Sequence, residues 1–102
     1  MKHLECDCPA KHALALLGGP WKVPILWELL AGTKRFSELK RSLRGCRQKM
    51  LTQQLREMEA DGLVRRKIYA EVPPRVEYSL TRTGRSLKPV VDAMVRWEKK
   101  RK

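Results

Sequence analysis

The spacing of apolar residues predicts helices through the first sixty residues of the chain. Apolar side chains recur there three or four positions apart, which is the repeat of one face of an α-helix. We expect a first helix over about 9–17, a second over about 21–31, a third beginning near Ser37 and a fourth over about 47–60. Glycines lie between these segments, so this half of the chain is predicted to be a set of short helices joined by turns.

The pattern then changes from helical spacing to alternation. Apolar and polar residues alternate over 63–69 and again over 75–80, which predicts the two strands of a β-hairpin. Two prolines between them interrupt the ladder and stiffen the tip. Helical spacing resumes with Thr81, a good N-cap residue, and predicts one long helix over about 81–100. The predicted fold is therefore mainly α with a small β-hairpin: a winged helix-turn-helix with its wing at about 63–80.

The fourth helix, which would be the recognition helix, has two faces of different chemistry. Leu51, Leu55 and Met58 fall on one side, at the spacing of a core-facing stripe. The opposite side carries amide, hydroxyl and cationic groups, which suit the base edges and phosphates of a DNA major groove. A solvated face that happens to be basic would have the same composition, because exposed helix faces are usually charged. The residues of this helix that we predict to contact DNA are Arg47, Gln48, Lys49, Thr52, Gln53 and Arg56.

The hairpin supplies a second set of cations. A basic wing beside a basic recognition helix gives two points of contact on one face of a duplex, which a generic solvated surface does not need. This combination favours the DNA-binding interpretation over the solvated one. The predicted wing contacts are Arg65, Arg66, Lys67 and Arg75.

The net charge also favours a polyanionic partner. The chain has 102 residues, with 23 Lys and Arg against 11 Asp and Glu, and a formal charge of +12. A field of that sign attracts nucleic acid first and an anionic membrane second. No apolar run approaches the roughly 20 residues that span a bilayer, and the first residues lack the apolar core of a signal peptide. We expect a single cytoplasmic domain over 1–102, with double-stranded DNA as its partner and no membrane association.

Two other classes of function fit the sequence less well. A sequence-independent nucleic-acid-binding protein, architectural or RNA-binding, would need only the cations, so the ordered Gln and Thr positions argue against it. An enzyme would need a catalytic constellation. The sequence has no Ser/His/Asp or Cys/His pairing with positional logic, no phosphate-binding glycine loop and no paired carboxylates in an apolar setting. We expect no enzymatic activity and no cofactor.

Several segments of the chain match the motifs of one protein family. They are CP at 8–9, LGGPWK at 17–22, KRFSEL at 34–39, MLTQQLREM at 50–58 and VPPRVEYSLT at 72–81. The last two are the most specific, and together the segments span nearly the whole chain in the family's order. The chain resembles the HxlR family of bacterial and archaeal winged-helix transcription regulators, relatives of the MarR-type regulators.

The resemblance implies a homodimer on an inverted-repeat operator, with each fourth helix in a major groove. It also implies that the first and last helices, at about 9–17 and 81–100, pack together as dimerisation helices. The chain departs from the family at Arg47, where Ser or Thr is common, and at Pro20, where a basic residue is usual. The sequence identifies no small-molecule or oxidant effector. The side chains that the resemblance places at the dimer interface are Leu14, Leu17, Leu87, Val91, Met94 and Trp97.

Cys8 is the candidate redox-sensing residue, because several HxlR-type regulators sense oxidants or electrophiles through the Cys of an N-terminal Cys-Pro. Pro9 at the first helical position would make Cys8 the N-cap residue. A thiolate there would face unpaired N–H groups and the positive end of the helix dipole, with Lys11 one turn away, and these effects raise thiol reactivity. The alternative is an inert, half-buried cap.

The other cysteines are weaker candidates. A Cys6–Cys8 disulfide would be strained, because two cysteines separated by one residue seldom close a comfortable ring; a bridge from Cys8 to a partner subunit fits better. Cys46 lies in the turn before the recognition helix, where it could report modification to DNA binding or simply pack. His3, Cys6, Cys8 and His12 are zinc-compatible types, but their spacing matches no common structural zinc pattern. We predict no metal site.

Overall fold

The computed structural model describes residues 8–102, and within that range the chain forms six helices and one three-stranded sheet. The second and third strands form the wing, and the third and fourth helices form the helix-turn-helix. The predicted winged helix-turn-helix fold is confirmed. The bounds are α1 (Lys11–Leu17), α2 (Lys22–Leu30), β1 (Lys34–Arg35), α3 (Phe36–Ser42), α4 (Gln48–Ala60), β2 (Val64–Tyr69), β3 (Arg75–Leu80), α5 (Arg82–Arg85) and α6 (Lys88–Arg101).

Strand β3 is the centre of the sheet. It pairs antiparallel with β2, with Val64 opposite Leu80, and antiparallel with β1, with Lys34 opposite Tyr78. Strand β1 was not among the elements predicted from the sequence. Two residues are too few to form an alternating pattern, so this strand is recognised only by its pairing with β3.

The core lies between the helices and the inner face of the sheet. Its fully buried side chains include Ile25 and Leu26 of α2 and Leu51, Leu55 and Met58 of α4, each at most 1% exposed. The stripe of the fourth helix that was predicted to face the core does so. Burial of one large aliphatic side chain contributes about 1.5–3 kcal/mol, so packing of its inner face fixes α4 in place.

The last helical segment differs from the predicted single helix. It divides into α5 and α6, with a turn at Ser86 and Leu87 between them. Thr81 caps α5 as expected, because its hydroxyl accepts a hydrogen bond from the Gly84 N–H at 3.0 Å. Pro89 accounts for the break. It has no amide hydrogen to donate to the carbonyl four residues earlier, and it is tolerated in the first turn of a new helix.

Helix α1 begins later than predicted and is attached weakly to the rest of the chain. Its N-cap is Ala10 rather than Cys8, and the Cys8 carbonyl accepts a hydrogen bond from the Lys11 N–H at 3.1 Å in the preceding turn. Pro9 therefore lies in that turn instead of at the first helical position. No residue of α1 is buried within the chain.

From the sequence, we expected no membrane-spanning helix. Within the described residues 8–102, no single helix is long and apolar enough to cross a membrane; α1 and α2 meet that test only as a pair, which is bent by 84°. Four residues of α2 are buried in the protein, including Ile25 and Leu26, and a buried core helix has the same composition.

Candidate nucleic-acid interface

Helix α4 is positioned by the turn before it as well as by its buried stripe. Gly45 in this turn has φ of +88°, a left-handed conformation that glycine adopts without strain. Arg47 follows as the N-cap residue in an extended conformation, and its side chain makes no capping hydrogen bond. Arg47 is exposed and stands at the positive end of the helix dipole, where a phosphate group would be favoured.

The outer face of α4 carries the residues that were predicted to contact DNA. Apart from Arg47, all of them line one shallow depression along the helix, together with Glu57. Thr52 is half-buried and the others are exposed. This surface offers hydrogen-bond donors of three cations, two amide groups and a hydroxyl. We call it the recognition face: Arg47, Gln48, Lys49, Thr52, Gln53 and Arg56.

Glu57 is an acidic residue beside this otherwise cationic and neutral face. Its Oε1 lies 2.7 Å from Nζ of Lys22, whose side chain is only 7% exposed. Its Oε2 accepts a hydrogen bond from Nε2 of Gln53 at 3.2 Å. The hydrogen bond from Lys22, and after it the one from Gln53, lowers the pKa of the Glu57 carboxyl below its ordinary 4.5. The group is therefore a carboxylate at neutral pH. Sequence patterns could not predict this pair, because Lys22 and Glu57 lie on different helices.

Gln54 is a second residue that the sequence analysis missed. It lies on the inner side of α4 between Leu51 and Leu55 and is 4% exposed. Its Oε1 accepts a hydrogen bond from the Trp21 N–H at 3.3 Å. Gly19 has φ of +125°, a conformation that L side chains rarely adopt, and a Cβ atom there would lie 2.7 Å from the same oxygen, so glycine suits this position. The available signal was a polar residue within an apolar stripe, since a buried amide needs a hydrogen-bond partner.

The predicted wing cations lie on two faces of the hairpin. Arg66 is opposite buried Tyr78, and its Nε lies 3.6 Å from a carboxylate oxygen of Glu59 near the end of α4. Side chains alternate along a strand, so Arg65 and Lys67 project from the other face, and both are exposed. The wing therefore presents one cation that is tied to α4 and two that are not.

Arg75 is engaged within the wing itself. Its two terminal nitrogens lie 3.3 Å from a carboxylate oxygen of Glu71 and 3.4 Å from one of Glu77. Its guanidinium carbon lies 3.9 Å from the centre of the Tyr69 ring. Within residues 8–102, its Nε is a buried nitrogen without a hydrogen-bond partner. These contacts stiffen the hairpin and leave Arg75 less free to meet a phosphate than Arg65.

A second surface of the chain is apolar. Large hydrophobic side chains are exposed on three helices, and exposed apolar patches commonly mark surfaces that bind another protein. We call these side chains the exposed apolar residues: Leu14 of α1, Trp27 of α2, and Val90, Met94 and Trp97 of α6.

The expected dimer-interface residues divide into three groups. Leu14, Met94 and Trp97 are exposed, and Trp97 is 64% exposed. Leu17 and Leu87 are partly buried against the core. The expectation for Val91 was wrong. Val91 is 0% exposed within the single chain, because α6 uses it to pack on the core, and the helical spacing alone could not separate that side of α6 from its outer side.

The two cysteines in the described range have different environments, and neither forms a disulfide there. Cys8 is exposed in the turn ahead of α1, so its expected N-cap position was wrong. Cys46 is buried, and burial raises the pKa of its thiol against a smaller effect of Lys40. His3 and Cys6 lie outside the described residues. Within 8–102, no group of three His, Cys, Asp or Glu side chains could hold a metal ion.

Comparison with known proteins identifies the family. A family model described as HxlR-like helix-turn-helix matches residues 16–102. This chain belongs to the HxlR family. The HTH-type transcriptional regulator YtcD of Bacillus subtilis (strain 168) is 54% identical over 97 residues, which are 95% of this chain and 77% of YtcD. The family resemblance drawn from the motifs is confirmed.

Solved structures of other regulators are similar over nearly the whole chain. The structure of the redox regulator HypR in its oxidized form is 47% identical, with a TM-score of 0.86, and the match covers 91% of this chain and 96% of HypR. The reduced form of the transcriptional regulator YodB from B. subtilis is 36% identical, with a TM-score of 0.78 and coverage of 90% and 91%. This chain is thus a transcriptional regulator with a helix-turn-helix fold and not an enzyme, as the sequence predicted.

Proposed function

We propose that this HxlR-family protein is a sequence-specific DNA-binding regulator that acts as a homodimer on an inverted-repeat operator. The observation that carries the proposal is the recognition face, on the outer side of a helix whose inner side is fixed in the core. Gln53 would pair with adenine, Arg56 with guanine, and the Thr52 methyl would meet a thymine methyl. Lys49 and Arg47 supply cations for bases or nearby phosphates.

The wing would add phosphate contacts beside the recognition helix. Arg65 and Lys67 are exposed and project from the same face of β2, so we assign them to direct phosphate contacts. Arg66 and Arg75 would reach phosphates only in competition with the carboxylates of Glu59, Glu71 and Glu77. Phosphate contacts fix the register of a protein on the duplex and carry no direct sequence information.

The exposed apolar residues support the homodimer. A helix with no buried residue of its own, α1, lacks the packing that normally stabilises a short helix. A second copy of the chain would cover Leu14, Met94 and Trp97 and give α1 that packing. A two-fold dimer would place its recognition helices in successive major grooves, about 34–36 Å or one helical turn apart.

Binding of the upstream DNA of its own gene tests the proposal. In a gel-shift titration at about 0.15 M salt, the wild type should bind an operator-containing duplex at least about ten-fold more tightly than random DNA of equal length. Gln53→Ala should reduce this preference while non-specific affinity stays nearly constant. Equal affinity of the wild type for both duplexes would contradict sequence-specific binding.

The alternative is a sequence-independent nucleic-acid-binding protein, and the formal charge of +12 would serve that function. The two functions predict different effects of salt on the affinity for DNA. A protein that binds only phosphates shows a steep salt dependence that is the same for every sequence. A preference that persists as salt rises would exclude this alternative.

We include Cys8 in the proposal as a redox-sensing residue. Its exposure in the turn ahead of α1 supports access by an oxidant or electrophile, and two of the similar structures are those of the redox regulator HypR in its oxidized form and of YodB in its reduced form. The helix-dipole argument no longer applies, because Ala10 is the N-cap. Diamide should release the wild type from DNA reversibly and leave Cys8→Ser bound. Identical behaviour of the two proteins would remove Cys8 as the sensor.

A regulator of this kind acts where the DNA is, and we propose a cytoplasmic location for that reason.

A further inference from the structure

A chain of three side chains connects the protein interior to the recognition face. The Lys22 side chain is almost completely buried, and its Nζ lies 2.7 Å from one carboxylate oxygen of Glu57. The other oxygen of Glu57 accepts the hydrogen bond from the Gln53 amide at 3.2 Å. Each carboxylate oxygen therefore has its own partner, one inside the protein and one on the recognition face.

We propose that Glu57 is a positioning residue for base readout, which fixes the side-chain amide of Gln53 in one orientation while Lys22 holds Glu57 itself. The proposal rests on the proposed function, in which Gln53 reads a base.

The chemistry of the amide explains why its orientation matters. A Gln side chain that reads adenine must present an oxygen that accepts from the base and an N–H that donates to it. A carboxylate accepts hydrogen bonds and cannot donate them. Glu57 can therefore bind only the nitrogen of the Gln53 amide, which leaves the oxygen and the second N–H of Gln53 for the base. A free amide would lose this selection by rotating half a turn.

Lys22 gives the carboxylate a fixed position and offsets its charge. A buried ammonium needs a partner, because an uncompensated charge in the interior is strongly destabilising, and Glu57 is that partner. Without Lys22, the carboxylate of Glu57 beside a phosphate backbone would oppose DNA binding. The pair thus allows an acidic residue to be present at the edge of a DNA-binding surface.

The key variant is Glu57→Gln, with Glu59→Gln as the matched control. Each removes one negative charge from the last turns of α4, but Glu59 faces Arg66 of the wing and not Gln53. A neutral amide at position 57 can donate as well as accept, so it permits either orientation of Gln53. The double variant Lys22→Met/Glu57→Gln removes the buried charge as well and remains testable if Glu57→Gln unfolds. Thermal unfolding identifies the variants that are folded.

The first measurement is made on the free protein. In ¹⁵N-resolved NMR spectra, Glu57→Gln should shift the side-chain NH₂ resonances of Gln53, and Glu59→Gln should leave them in place. Unshifted Gln53 resonances in Glu57→Gln and in the double variant would overturn the proposal before any DNA is added.

The second measurement is the preference at each base pair, from selection on a randomised duplex library. Glu57→Gln should reduce the preference about five-fold or more at the base pair where Gln53→Ala also reduces it, the lower end of what a bidentate contact supplies. Glu59→Gln should change the affinity for all duplexes alike. If Gln53→Ala relaxes one base pair and Glu57→Gln does not, the positioning proposal fails and the proposed function stands. If the wild type shows no preference at any base pair, the proposed function fails and the positioning proposal fails with it.

Discussion

Helices α1 and α4 are both short, and each has an apolar side, but the chain supports them in different ways. Helix α4 buries Leu51, Gln54, Leu55 and Met58, whereas α1 buries no residue. Helix α4, as the proposed base-reading helix, needs a fixed position relative to the wing, and its own chain provides that position. A helix without such packing depends on something outside the chain, and the proposed partner subunit would supply it. One domain thus combines a helix that its own chain supports fully with a helix that, in the proposed dimer, the partner subunit would stabilise.

The largest expected effect comes from truncating the buried side of α4. Leu51 is 0% exposed, so Leu51→Ala should lower the free energy of unfolding by about 2–5 kcal/mol. Leu14→Ala on α1 is the matched change, because Leu14 is 60% exposed. At a protein concentration where the wild type is monomeric, it should cost no more than about 0.5 kcal/mol. Urea unfolding measures both, and similar costs would mean that α1 is supported by its own chain after all.

The next effect concerns the dimer. Trp97→Ala removes a large exposed side chain from α6 and should weaken self-association by at least about ten-fold, since truncating an aromatic residue at the centre of an interface commonly costs 2 kcal/mol or more. Analytical ultracentrifugation across a dilution series gives the dissociation constant. Trp27→Ala is an informative companion, because Trp27 is exposed on α2 instead of on a proposed dimerisation helix. An unchanged dimer in Trp97→Ala would place the interface elsewhere.

Substitutions in the wing should have a smaller effect, on the salt dependence of DNA binding. They compare Arg65, which is exposed, with Arg75, which forms ion pairs within the wing. Arg65→Ala should lower the salt dependence of DNA binding by about one unit of slope, the value of a single phosphate contact. Arg75→Ala should change the slope less, because Arg75 already contacts two carboxylates and the Tyr69 ring. A series of binding isotherms between low and moderate salt gives the slope for each variant. A larger change for Arg75 than for Arg65 would show that the ion pairs of the wing open on DNA.

The smallest effect is a dependence of stability on pH. The pKa of Glu57 is lowered in the folded chain, chiefly by Lys22 and then by Gln53. Folding therefore gains stability from this group above its ordinary pKa of 4.5 and loses that gain as the pH falls through the lower, folded value. Wild type should be more stable than Glu57→Gln at pH 7, and the difference should shrink below about pH 4.5. If the difference in stability were constant from pH 7 to pH 3, the ionisation of Glu57 would not contribute to the stability of the fold.

Local patterns in the sequence were sufficient for much of the architecture. The stripe of Leu51, Leu55 and Met58 has the repeat of one helix face, and alternation marks β3 over the range that the structure has. Both are properties of neighbouring residues. The outer face of α4 follows from the same repeat, which is why the recognition face could be named before its position was known.

Contacts between distant segments account for the features that the sequence did not predict. Lys22 meets Glu57 across 35 positions of the chain, and β1 exists only because β3 lies beside it. Val91 and Met94 have the same helical repeat, yet one is in the core and the other is exposed. The separation of α5 from α6 at Pro89 is a different case, because it follows from the local chemistry of proline. This break was not predicted from the sequence, because the apolar residues keep their helical repeat across it.

The contact between Glu57 and Lys22 has a consequence for the redesign of binding specificity. Helix α4 keeps its proposed base-reading residues and its core residues on opposite sides, so a different outer face could be grafted onto this scaffold without repacking the interior. Position 57 is the exception, because its carboxylate contacts Lys22 in the interior and Gln53 on the recognition face. A graft that replaces Glu57 leaves the Lys22 charge unpaired inside the domain. Positions 22 and 57 would therefore have to be exchanged together, as one transplanted unit.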